Sequence, residues 1–282
     1  MPYMGSKRKL SLPIMRYIME NNPECKYFWD LFGGGGAMSF YALQVPQIKQ
    51  VFYNELNTGV VELLRKIQTD GVTDEFYQWI DRDTFNKHKT DSDWFGGLCK
   101  VVWSFGNNQT CYLFGKEVEP IKKLAHEYLF ANGYDKTAKT RIKLVKQFKA
   151  DKNIIGRFEL QQLEQLQRLQ RLQQLERLQI SNLSYADVQI TTPINETVIY
   201  LDPPYKNTTQ YECKLNHDEL LEYIQNSPYK IYLSSYQFDG MHEVMAIKHR
   251  SILCAIANNK VKEKLFCNRI EDEQTELFRR TA

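Results

Sequence analysis

Long apolar runs, paired cysteines, metal-site histidine spacings and a strong net charge are all missing from this chain of 282 residues. No stretch approaches the ~18 apolar residues that a membrane-spanning helix needs, which excludes a helical membrane protein. The basic opening Met1–Leu10 is not followed by the apolar core of a secretory signal, so a cytoplasmic chain is expected. The six cysteines (Cys25, Cys99, Cys111, Cys213, Cys254, Cys267) are scattered, with no C-x-x-C pair. That excludes a disulfide framework and a zinc ribbon, and leaves buried free thiols as the expectation. His126-Glu127 and His242-Glu243 each begin an H-E-x-x-H helix face and neither completes it, so no metal is expected. A net charge of +3 points to no partner by itself.

What is present is the balance of a soluble globular protein, 43% hydrophobic and 25% charged. The length suits one large domain or a domain with a substantial insertion. Leu12, Ile14, Met15, Ile18 and Met19 give residues 11–20 a helical stripe. The run from Cys25 to Phe32 then reads as a buried strand that empties into Gly33-Gly34-Gly35-Gly36, with a helix expected from Ala37 to Leu43. Val51–Glu55 is a second strand, and Thr58 is placed to cap a helix from Val60 to Gln68 that Gly71 ends. Strand, glycine loop, helix and acid-ended strand form the front half of a nucleotide-binding α/β unit. Residues 72–158 lack alternating strand runs and are rich in aromatic and charged residues, which predicts a mostly helical insertion. The α/β pattern returns with strands at 198–201, 230–234 and 252–257 and a helix at 218–225.

A low-complexity tract precedes that return. Leucines recur every third residue from Leu160 to Leu178. On an α-helix that spacing winds once around the axis, whereas on a 3₁₀ helix it would align. Composition favours helix, and either an α-helix or an extended or 3₁₀ spacer fits. Between Lys139 and Gln179 ten basic residues face four acidic ones. Such an excess fits a phosphate backbone or a solvated helical face equally well.

Chemistry concentrates at Asp202-Pro203-Pro204-Tyr205, directly after the 198–201 strand. Consecutive prolines stop the ladder and lock the backbone, leaving the Pro203 carbonyl aimed at a cleft. With Asp202 as a second acceptor and Tyr205 as a flat face, the motif suits the exocyclic amine of a planar base; the bland alternative is a sharp turn with a stray carboxylate. The glycine tract lets a ligand approach backbone N–H groups. Glu55 ends the next strand, where an acid commonly binds ribose hydroxyls.

Taken in order, these motifs resemble the Dam-type adenine-N6 DNA methyltransferases, over most of the chain. Tyr3-Met-Gly-Ser-Lys7 resembles that family's N-terminal aromatic-x-Gly-x-Lys motif. Asp30-Leu-Phe-Gly-Gly-Gly-Gly36 is similar to its F-x-G-x-G loop, Tyr53-Asn-Glu55 to its ribose-binding strand end, and Tyr185-Ala-Asp187 to a motif near the cofactor adenine. Asp202-Pro-Pro-Tyr205 corresponds to its catalytic motif, and Leu233-Ser-Ser-Tyr to the strand after it. The resemblance implies an α/β fold, a Rossmann-like methyltransferase sheet with a mostly helical target-recognition insertion. It places the catalytic domain at 1–57 and 181–282 and the insertion at 58–180. It implies S-adenosylmethionine bound by Tyr3, Lys7, Asp30, Phe32, Gly34, Gly36, Glu55, Asp187 and Asp202. Catalysis falls to Asp202, Pro203, Pro204 and Tyr205 on an adenine flipped from double-stranded DNA, by a monomer or weak dimer. Within the insertion, Asn107 and Asn108 are the candidates for reading base edges, with a capped turn as the bland alternative. Lys143, Lys146 and Lys149 are the candidates for phosphate contacts. Rival functions are a cytosine-N4 methyltransferase, whose target amine has the same geometry, and a catalytically silent DNA-binding or scaffold protein.

Overall fold

The computed structural model describes residues 1, 3, 6–131, 175–204, 215–249 and 261–270. They fall into two compact units, one of Ser6–Leu56 with Gln174–Ala282 and the other of Met1–Gly5 with Asn57–Gln173. The first holds a seven-stranded sheet of β1 (Tyr27–Asp30), β2 (Gln50–Asn54), β3 (Leu178–Ser181), β4 (Thr197–Leu201), β5 (Lys230–Ser235), β6 (His242–His249) and β7 (Val261–Cys267), in the order β3-β2-β1-β4-β5-β7-β6. It also holds the helices α1 (Ser11–Glu20), α2 (Ala37–Ala42) and α7 (His217–Asn226), while α3 (Thr58–Asp70), α4 (Arg82–His88), α5 (Trp94–Val102) and α6 (Glu119–Ala131) belong to the second unit.

The first five strands in that order run parallel, and β7 enters antiparallel between β5 and β6. This is the α/β class and Rossmann-like sheet expected from sequence. Every residue of β4 is buried, as befits a central parallel strand covered on both faces. Trp29, Ile199, Leu201, Ile231 and Leu233 meet Leu220 and Ile224 of α7 in one apolar cluster. Chain order reverses beside β1, where β2 lies on one side and β4 on the other. A sheet of this kind opens its binding crevice at the carboxyl ends of the strands around such a switch.

Three strands depart from the sequence expectation. Leu178–Ser181 looks like the tail of the leucine tract, yet Leu178 pairs with Val51 and Ile180 with Tyr53, so these residues close the β2 edge. Accordingly, residues 175–180 sit with the sheet and not with the insertion. Arg177, counted with the basic stretch, turns inward instead and donates to the carbonyls of Ile48 (2.7 Å) and Leu43. Strands β6 and β7 pair with each other and bracket 252–257, the strand expectation that lies outside the described residues. The leucine tract from Leu160 to Leu172 also lies outside them; Leu175 sits in a 3₁₀ turn and Leu178 opens β3.

In the second unit the helical expectation holds for α4, α5 and α6. The cap of α3 is Asn57 and not Thr58: its Oδ1 accepts from the Val60 N–H and from Lys100 Nζ. Helices α3 and α5 approach through glycine, and a Cβ on Gly97 would lie 1.9 Å from the Gly59 carbonyl oxygen. Trp79, Trp103, Tyr112, Phe114 and His126 form an aromatic cluster beside them. Burial pushes the His126 imidazole down to about 4, so this ring is a neutral core residue.

Candidate active site

The carboxyl ends of three adjacent parallel strands converge. Asp30 of β1 is in register with Tyr53 of β2 and with Tyr200 of β4, so Glu55 and Asp202 follow two residues further along on either side of it. Three acids thereby meet at one end of the sheet.

Backbone and side chains of β2 shape the glycine loop. The Gly33 N–H donates to the Asn54 carbonyl (2.8 Å) and the Gly36 N–H to the Gly33 carbonyl (2.7 Å). The Gly34 N–H donates to Glu55 Oε2 at 2.7 Å, and Tyr53 Oη donates to the Gly34 carbonyl at 2.7 Å. A Cβ on Gly33 would sit 2.2 Å from the Tyr53 ring, while Gly36, at φ +74°, would drive one into Phe40. Gly33 was not among the sequence candidates; the Tyr53 ring that excludes a side chain there comes from another strand. The loop's N–H groups at Gly33, Gly34 and Gly36 are thus engaged within the chain, contrary to the expectation that they wait for a ligand. What the loop presents is its shape, with Glu55 fastened behind it.

Asp30 is buried under α2, where Ser39 Oγ donates to its Oδ2 at 2.7 Å. Its Oδ1 has no hydrogen-bond partner among the described residues. Burial pushes the carboxyl up to about 7, against the Ser39 bond, and the charges of Asp202 and Glu55 push the same way. Lys7, from the 3₁₀ turn Lys7–Lys9, is only 4% exposed. Its ammonium lies 2.6 Å from Asp202 Oδ1 and 3.4 Å from Oε1 of Glu263 on β7. Burial raises the Asp202 carboxyl to about 6, with Lys7 opposing and Glu263 adding to the rise. The Asp202 side chain keeps 21% of its surface exposed against 2% for Glu263, so Asp202 is the member of this trio that meets solvent. Beside it, Tyr200 Oη hydrogen-bonds Ser234 Oγ at 2.6 Å and ties β4 to β5.

A sequence model of the D12 class N6 adenine-specific DNA methyltransferases matches residues 3–274 of this chain. The chain belongs to that family. It is also 27% identical over 124 residues to the type II methyltransferase M.MjaIII of Methanocaldococcus jannaschii. That match covers 35% of this chain and 42% of the relative, so the chain spans less than half the length of that curated protein. Among solved structures, a Haemophilus influenzae protein assigned as a methylase covers 93% of this chain and 98% of its own, at 12% identity and a TM-score of 0.34.

A D12-class methyltransferase implies S-adenosylmethionine as methyl donor, and the site suits such a group. Asp202 and Glu263 share the one buried Lys7 ammonium, and the Asp30 and Glu55 carboxyls act on each other nearby, a set of acids that suits a sulfonium cation. Asp30, which leads into the glycine loop, keeps an Oδ1 with no hydrogen-bond partner among the described residues. Phe32 packs at 5.2 Å between ring centroids against Tyr185, which meets Tyr223 edge-on. In the Tyr185–Asp187 turn the aromatic is therefore packed while Asp187 itself is exposed. Asn54, unnoticed in the sequence, latches the rim: its amide donates to the carbonyls of Leu31 and Leu183, and its oxygen accepts from Ser181 and from the Leu183 N–H.

The D12 assignment leaves other candidates apart. Tyr3 groups with the second unit, as do Asn107 and Asn108. Tyr205, Lys143, Lys146 and Lys149 lie outside the described residues. Asn108 Oδ1 accepts from the N–H groups of Thr110 (3.0 Å) and Cys111 (2.9 Å). Its oxygen therefore serves the turn, the bland alternative for this motif, and a bidentate pairing with an adenine edge is closed to it in this geometry. Gly106, Asn107 and Gln109 take positive φ, and Phe105 at the tip is 64% exposed. Among the described residues no helix is long and apolar enough to cross a membrane. Nor, among them, do three or more His, Cys, Asp or Glu group to hold a metal.

Proposed function

We propose that this chain transfers a methyl group from S-adenosylmethionine to N6 of an adenine in double-stranded DNA, acting as a monomer or weak dimer. The observation that carries this is Asp202, held by Lys7 at the carboxyl end of β4 and partly open to solvent, next to two prolines. When bound, the cofactor supplies a methyl group already made electrophilic by its sulfonium. The chain's part is alignment and charge stabilisation. N6 is a poor nucleophile because its lone pair is delocalised into the ring. The Asp202 carboxylate and the Pro203 carbonyl accept hydrogen bonds from its two N–H groups and favour the localised, attacking geometry, and Asp202 then takes the one proton that the methylated, positively charged N6 must give up. Asp202 does so as the anion, which places the working range above its raised titration point of about 6.

On the cofactor side, Glu55 accepts from the ribose while keeping the Gly34 N–H, and Asp30 and Lys7 set the charge beneath the loop. Tyr3, Phe32 and Asp187 complete the binding set. An adenine inside a duplex cannot reach such a site, so it is flipped out and stacked on Tyr205. Recognition falls to the Asn57–Gln173 unit. Exposed Phe105 and half-buried Asn107 lie on its positive-φ loop, and Lys143, Lys146 and Lys149 bind phosphates. The adenine-specific family weighs against cytosine N4 as target.

The test is label transfer from S-adenosylmethionine to unmethylated duplex DNA by the wild type and Asp202→Ala. Wild-type incorporation with loss of most turnover in the variant is expected. Equal rates in the two would remove Asp202 from the chemistry.

A further inference from the structure

Glu263 has no part in the proposed reaction, yet it is 2% exposed and lies 3.4 Å from the Lys7 ammonium. Lys7 and Asp202 alone would make a neutral pair. Glu263 brings a second buried carboxylate to the same ammonium, and a buried carboxylate is costly unless it is paired and hydrogen-bonded. The three residues also come from three separate elements, the Lys7–Lys9 turn, the end of β4 and β7. Glu263 is thereby placed to act, through Lys7, on the charge distribution at Asp202.

We propose that Glu263 is a positioning residue for methyl transfer: it shares the Lys7 ammonium, so that the Asp202 carboxylate keeps its strength as acceptor for the target amine. An ammonium devoted to Asp202 alone would draw charge from the carboxylate that must answer the positive charge growing on N6. With Glu263 on its other side, Lys7 orients Asp202 without quenching it. Asp202 is faced by Lys7, by Glu263 from β7, by Asp30 from β1 and by Tyr200 from its own strand. From β5 comes the neutral Ser234 hydroxyl bonded to Tyr200, and Glu55 of the β2 end acts on Asp30. Glu263 is the acid among these that touches Lys7 besides Asp202. The proposal rests on the methyl-transfer function above.

The experiment measures single-turnover methyl transfer and the KM values for S-adenosylmethionine and DNA across pH roughly 5 to 9. Glu263→Gln is expected to lower the plateau rate about tenfold with little change in either KM. It should also move the acidic limb to lower pH, because a charge that raises the Asp202 carboxyl is gone. Lys7→Met should move the same limb to higher pH, and Glu263→Asp should restore most of the rate. A purely structural role lowers the amount of active protein and leaves the limb in place; that result, or a Glu263→Gln profile superimposed on wild type, overturns the proposal. Should Glu263→Gln not fold, it is added to Lys7→Met, which removes both charges. The limb must then fall back from its Lys7→Met position, and an unmoved limb again refutes the role. Absence of any transfer by the wild type overturns the methyl-transfer function together with this inference, whereas wild-type transfer with an unaltered Glu263→Gln profile overturns the inference alone.

Discussion

Glu55 is asked to do two things at once, and its variants separate them. Its Oε2 holds the Gly34 N–H at 2.7 Å, and the backbone carbonyl of the same residue accepts from Asn182 Nδ2 at 2.7 Å. A hydrogen bond to a charged group contributes roughly 1.5–3 kcal/mol. Glu55→Ala removes the anchor of the loop and the proposed ribose acceptor together. Losing one such bond amounts to about a ten- to hundredfold weaker affinity, at ~1.4 kcal/mol per factor of ten. Glu55→Gln keeps an oxygen for the Gly34 N–H and loses only the charge, so it should weaken binding by about tenfold or less. Isothermal calorimetry with S-adenosylmethionine reads both. Glu55→Ala binding as wild type binds, or Gln and Ala variants losing affinity equally, would refute the division of labour between loop anchor and ribose acceptor.

Gly97→Ala should destabilise the helical unit by about 3 kcal/mol or more, since its Cβ would meet the Gly59 carbonyl at 1.9 Å and neither helix backbone can yield cheaply; an unchanged melting temperature would contradict this. Asp30→Asn should stabilise the fold increasingly as pH rises. A carboxyl of about 7 in the fold against 3.8 unfolded favours folding in its protonated form, an advantage lost between those two values and absent above them. The melting difference from wild type should therefore grow from about pH 4 to pH 7 and then level off, and a pH-independent difference would show that Asp30 does not titrate so. Neutralising Lys143, Lys146 and Lys149 together should weaken binding to all DNA sequences and flatten its salt dependence; an unaltered salt slope would take them off the phosphate backbone. Asn107→Ala should instead narrow the gap between cognate and non-cognate DNA, by about 1–3 kcal/mol for a lost bidentate contact, and full discrimination would remove it from base reading.

The parts of the site legible in the sequence are those in which the chemistry is contiguous. Asp30 through Gly36, Tyr53 through Glu55 and Asp202 through Pro204 each place their residues within one strand end and its loop, and parallel pairing with β1 aligns them. Glu263 could not be found that way. It sits in Val261-Lys-Glu-Lys264, which resembles an exposed charged edge, and only the insertion of β7 between β5 and β6 buries it against Lys7. Leu178–Ser181 was hidden for the opposite reason, because a triplet of leucines continues into it and masks the period-two pattern of a strand. Asn57 lost the capping role to Thr58 in the sequence because both are good caps, and Lys100, whose ammonium bonds the same Asn57 oxygen, lies far along the chain. Asn108 shows the limit of residue type: the amide suited to an adenine edge is equally suited to two backbone N–H groups, and here it takes those.

Nucleoside mass spectrometry of duplex DNA incubated with the purified chain and S-adenosylmethionine tests the central claim most directly. An adenine amine accepted by Asp202 and Pro203 predicts N6-methyladenine as the product, absent when Asp202→Ala replaces the wild type. N4-methylcytosine as the product, or DNA left unmodified by a folded protein that binds S-adenosylmethionine, would contradict it.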